Sequence, residues 1–171
     1  MKVSGQDLIQ AIKEQSHLRD LTETEFEGSL YAFPSESKDS PERVMERLLD
    51  IETTIAKLQA AQGLYNQKVK VTVSGENLTL AEAVKRIGGL ARVEACWRKT
   101  AKSGGEDQLY GRRMERPAVA DTEFAKKMIE AKVANQKAKE TAKTVANLRS
   151  AIQAGNTKRV EIEGLDPDCF V

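Results

Sequence analysis

Between Ser40 and Tyr65 the apolar residues return at a spacing that suits a helix lying along another helix. Val44, Leu48, Ile51, Ile55, Leu58, Gln62 and Tyr65 follow one another in steps of four and three. A seam of that period stays on one side of a helix, so it asks for a partner helix of similar length. Ser40 is a natural N-cap, and Pro41 takes the first helical position, where a missing N–H costs nothing. The pattern predicts a helix over residues 41–65, with Gln62 as its one polar seam residue.

Three more helices can be drawn around it. The first covers residues 4–21, with Ser4 and Asp7 as a capping arrangement and Leu8, Ile9, Ile12 and Leu18 as its apolar face. A Gly-, Pro- and Ser-bearing connection follows, with room for a brief strand at 29–33. The third helix covers 79–101 and opens on Thr79 and Glu82, a Thr-x-x-Glu capping box. Its inward residues are Leu80, Val84, Ile87, Leu90, Ala91 and Trp97. Gly88-Gly89 inside it costs about 1 kcal/mol per Gly relative to Ala, which points to a close backbone approach or a kink. The fourth helix covers 122–154, with a seam of Phe124, Met128, Ala131, Asn135, Ala138, Ala142 and Val145, then Leu148 and Ile152 after a phase slip. Asn135, if inside, fixes register at some cost in stability.

Two stretches switch to period two. They are 68–73, which includes Lys68, Val69, Lys70 and Val71, and 158–163, which includes Val160, Glu161, Ile162 and Glu163. Lysines on one and glutamates on the other favour cross-strand pairing by a few tenths of a kcal/mol each. The two stretches are therefore expected to pair, within a subunit or between subunits, as an assembly point. With 31% charged and only 5% aromatic residues, a thin seam between long helices fits better than a thick core. The expected architecture is one mainly α domain: a long antiparallel helical hairpin or bundle with a small two-stranded β element.

At this point the order of motifs resembles the septicolysin-like family of bacterial helical proteins. The resemblance rests on Asn66, on Thr79, Leu80, Glu82 and Ala83, on Tyr110 with Arg112 and Arg113, and on Ile152, Gln153 and Asn156. It extends over most of residues 4–163; the longer first connection and the acidic tail after Gly164 depart from the pattern. It implies a helical-bundle fold and oligomers. The family's name suggests a cytolysin, but no helix here has the paired basic and aromatic faces of a membrane-binding element.

Material for catalysis is scarce. His17 is the sole histidine, and Cys96 and Cys169 are the only cysteines. Glu42, Glu46 and Glu52 flank the seam of the second helix, but none has a His three residues on, as a di-metal bundle requires. No Gly-rich phosphate loop occurs. No catalytic residue, metal ligand or cofactor is expected. Two cysteines without a secretory apolar segment fit reduced thiols in the cytoplasm, and no apolar run reaches membrane-spanning length.

The net charge is +1, yet residues 1–60 carry 7 basic and 12 acidic side chains while the fourth helix is basic. The best candidate site is the loop residues Tyr110, Arg112, Arg113 and Arg116. They suit carboxylates of the acidic half or of a neighbouring subunit, a protein partner, or phosphate. The expected role is a non-catalytic, homo-oligomeric interaction protein. Nucleic-acid binding through the basic helix and the Arg loop is the alternative.

Overall fold

The structure, a computed structural model, describes residues 1–31, 39–102 and 129–170. In chain order the elements are β1 (Lys2–Val3), α1 (Gly5–Ser29), α2 (Pro41–Lys68), β2 (Lys70–Val73), β3 (Glu76–Thr79), α3 (Leu80–Lys102), α4 (Ala131–Asn156) and β4 (Val160–Glu161). A single 3-10 turn at Pro167–Phe170 follows. The chain is mainly α; its described residues form four helices and two small antiparallel ribbons. It divides into two compact units. Unit 1 comprises Met1–Glu82 and Ala151–Val171; unit 2 comprises Ala83–Ser150. The first three residues of α3 and the last six of α4 thus belong to unit 1.

The helix starts follow from their side chains. Ser4 Oγ accepts from Asp7 N at 3.1 Å while Asp7 Oδ2 accepts from Ser4 N at 2.9 Å, closing a capping box on α1. Thr79 and Glu82 do the same for α3, at 3.2 and 2.8 Å. Ser40 caps α2 ahead of Pro41.

In unit 1, α1 and α2 pack together along much of their length. The seam of α2 lies where its spacing puts it: Val44, Ile55, Leu58 and Tyr65 are buried, and Leu48, Ile51 and Gln62 half-buried. α1 is longer than expected, running eight residues past Leu21 to Ser29, so the strand anticipated at 29–33 cannot begin at Ser29. Its buried stripe also differs. Leu8, Ala11 and Thr22 are inside, and Ile9, Leu18 and Leu21 are exposed. Small and polar residues therefore face α2, and Thr22 meets its burial by donating to Leu18 O at 2.8 Å.

The stretches at 68–73 and 158–163 do not pair with each other. β2 pairs with β3, Val71 opposite Leu78 and Val73 opposite Glu76. The linking residues, Ser74 (φ 53°) and Gly75 (φ 85°), both take positive φ, the signature of a two-residue hairpin turn whose twist matches its strands. β4 pairs with β1, Lys2 opposite Glu161. The two-residue turn brings β3 alongside β2 before any distant strand can occupy that edge, and β4 takes β1 instead.

Two glycines mark where the helix ends of unit 1 meet. A Cβ on Gly5 would lie 2.5 Å from Asn156 Oδ1 and 2.8 Å from Tyr65 Cε1; one on Gly155 would lie 2.8 Å from Val71 Cγ1 and 3.0 Å from Leu80 Cδ1. By contrast, a Cβ on Gly88 or Gly89 meets nothing within 4 Å among the described residues, so none of these explains that pair by a close backbone approach.

In α4 the inward residues are Ala131, Ala134, Ala138, Thr141, Val145, Leu148, Ile152 and Gly155, an unbroken three–four repeat. No phase slip occurs: Asn135 is exposed and plays no part in register. The anticipated start at Thr122, with Phe124 and Met128, lies outside the described residues.

Opposite outcomes are expected for glycine substitutions. Gly155→Ala should lower the unfolding free energy by about 1–3 kcal/mol, because Val71 and Leu80 must shift. Gly88→Ala should raise it by about 0.5–1 kcal/mol, since the helix gains propensity without a clash. Urea denaturation followed by circular dichroism measures both.

Candidate functional site

Tyr65, near the end of α2, is fully buried and holds the end of α4. Its hydroxyl lies 2.8 Å from Gly155 O and 2.7 Å from Lys158 O, so one proton is shared between a carbonyl in the last turn of α4, which also accepts Lys158 N at 3.1 Å, and one just past the helix. Burial pushes the Tyr65 hydroxyl above its ordinary value of 10.0, with Asp7 adding a smaller push and the Gly5 N–H opposing both. A neutral phenol donating to two carbonyls is a structural fastening, and the nearby Asp7 carboxylate is engaged by Ser4 N in the capping box.

Around this fastening lie the two period-two stretches. Val69, Val71 and Ile162 are buried within unit 1, and Val160 is half-buried. The stretches are joined through lysine side chains rather than backbone pairing: Lys68 Nζ donates to Glu161 O at 3.1 Å, and Lys158 Nζ donates to Lys70 O at 2.6 Å. Their apolar residues are thus covered inside the unit, and Lys70, Glu161 and Glu163 are what they present to solvent.

Tyr110, Arg112, Arg113 and Arg116 lie outside the described residues. His17 is exposed on α1. Cys96 is exposed on α3; Cys169 is partly covered, and burial, then Asp166 and Asp168, raise its thiol above the usual range, which disfavours the thiolate. Among the described residues no group of three or more His, Cys, Asp or Glu could hold a metal ion. No described helix is long and apolar enough to cross a membrane.

The division into units reveals a property that the net charge conceals. Among the described residues unit 1 carries ten basic and seventeen acidic side chains, and unit 2 eleven basic and three acidic. The basic surplus extends beyond α4 to α3, which brings Lys85, Arg86, Arg92, Arg98, Lys99 and Lys102. Counting charge per helix finds this; counting by halves of the chain hides it, because α3 lies between the acidic and basic halves.

α3 also has an incompletely covered seam. Ala83, Ile87, Leu90, Glu94, Trp97 and Ala101 follow steps of four and three, yet after Ala83 none of the described residues of α3 is buried. Val84, read from the sequence as inward, is exposed. Glu94 lies in the seam and pairs with Arg98 at 2.7 Å.

No protein-family model matches the chain, and no curated protein matches it. A solved structure described as a functionally unknown conserved protein from Corynebacterium diphtheriae has a similar fold, with a TM-score of 0.65 at 15% identity. The match covers 94% of this chain and all of that one. At that identity the likeness is one of fold, and it agrees with the mainly α architecture.

Tyr65 gives a pH test. Its folded-state value is raised, so the stability it contributes is present below pH 10.0 and falls as pH rises further and the unfolded chain ionises first. Tyr65→Phe should lose about 1–3 kcal/mol at neutral pH and flatten the decline above that pH. Denaturation midpoints on both sides of the transition report the difference.

Proposed function

We propose that this chain is a non-catalytic helical interaction protein that works as a homo-oligomer. The observation that carries the reading is the seam of α3. Ile87, Leu90 and Trp97 recur at the spacing of a packed helix yet are only half-covered, unlike the equivalent buried residues of α2. A stripe of that spacing gains about 25 cal/mol for each Å² of apolar surface removed from water, so a partner surface lowers its free energy. Self-association is the simplest supply of such a surface, since each copy brings the same unsatisfied stripe. The similarity of motif order to the septicolysin-like family belongs with this reading.

A second reading, nucleic-acid binding, is favoured by one observation, the surplus of basic residues in unit 2. Lysines and arginines along helices suit a phosphate backbone, and counterion release makes such binding strongly salt-dependent.

Light scattering across micromolar concentrations is expected to show a mass above that of one chain. Leu90→Glu should shift it toward the monomer while leaving the urea midpoint of unit 1 unchanged. A well-folded monomer at every concentration contradicts the oligomer. Fluorescence anisotropy with a labelled duplex at low salt tests the second reading, which fails if no binding appears.

A further inference from the structure

The free end of the α1–α2 hairpin combines exposed apolar side chains with acidic charge. Arg47 Nη2 lies 2.6 Å from Glu25 Oε1, and Arg19 Nε lies 3.9 Å from Glu52 Oε1, so the last part of α1 and the first part of α2 lie side by side. At this end Leu18, Leu21, Leu30, Met45 and Leu49 are exposed, distributed over more than one side of the helix pair, Leu49 to 67% and Leu21 to 54%. Across residues 18–31 and 39–52 there are nine acidic side chains and three arginines. Each arginine is already engaged: Arg19 with Asp20, Arg43 with Asp39, Arg47 with Glu25. Among the described residues of these two segments the carboxylates outnumber the cations nine to three.

A positive surface with apolar residues beside its charge complements this end. Unit 2 fits that description, with its half-covered Leu90 and Trp97 and, among the described residues, eleven basic against three acidic side chains. We propose that the occupant is a second copy: the acidic apolar end of the α1–α2 hairpin of one chain docks on the basic helices of unit 2 of another. Opposite fields steer the two surfaces together and select their orientation, and the apolar residues supply the burial that holds them. Each copy carries both surfaces, so each can be donor and acceptor of the contact. The inference rests on the self-association proposed above and adds which surfaces meet.

Paired charge reversal tests it. One variant carries Glu27→Lys, Glu46→Lys and Asp50→Lys at the hairpin end; the other carries Arg92→Glu, Lys139→Glu and Lys143→Glu in unit 2. All six residues are exposed, so both variants should keep the circular dichroism of the parent. By analytical ultracentrifugation at low salt, the parent should associate and each variant alone should associate more weakly, on the order of tenfold or more. An equimolar mixture of the two variants should recover the parent's association, because every reversed surface then meets its complement. Association that survives in both single variants overturns this pairing and leaves the oligomer reading standing. Variants that remain monomeric when mixed also overturn it. A parent that is monomeric under all conditions overturns both readings, and one that forms a complex only with added duplex DNA replaces them with the nucleic-acid reading.

Discussion

The fastening of Tyr65 across the end of α4 is the constraint on which the rest of unit 1 depends. The last carbonyls of a helix have no partner within it, and burying them bare costs about as much as losing hydrogen bonds outright. Tyr65 meets Gly155 O and, just past the helix, Lys158 O with one proton, and Thr157 Oγ1 takes Ala154 O at 2.8 Å. The same spot brings the N-terminus of α1 against the C-terminus of α4, with Gly5 beside Asn156. Opposite ends of helix dipoles meet there, which favours the contact further. Both glycines are required by space: any side chain would push Tyr65, Asn156, Val71 or Leu80 away from its neighbours.

From this junction follows the placement of the strands. Once α2 ends at Lys68 and Val69 hands its carbonyl to Leu80 N at 2.8 Å, only ten residues remain between the helices. A hairpin with a Ser74-Gly75 turn fills that length, and the buried Val71 and Leu78 stand opposite each other on its inner face. The last strand, close by through Lys68 and Lys158, then finds β1 as its free edge. The lysines and glutamates that suggested direct pairing do lie near one another, but they link two ribbons instead of the strands of one.

Charge tells a similar story on a larger scale. A net charge of +1 describes neither unit, since one is acidic and the other basic. Segregation on this scale leaves each unit repelling itself, a cost that an oppositely charged partner removes. The half-covered seam of α3 lies in the basic unit.

Much of the helical framework was legible in residue spacing. The seam of α2, its Ser40–Pro41 start and the capping boxes at Ser4 and Thr79 are local, decided within one turn of helix by hydrogen bonds that any context would keep. The face that α1 buries was not legible, because Thr22 and Ala11 are inside only through what α2 places against them, while Ile9 and Leu18 remain outside. Strand pairing was misread for the same reason: charge complementarity contributes tenths of a kcal/mol, and the two-residue turn at Ser74-Gly75 outweighs it. Local sequence thus settled where helices begin and which period they follow. Tertiary structure alone decided which surfaces met, since burial depends on neighbours far along the chain whose approach no short window of sequence encodes.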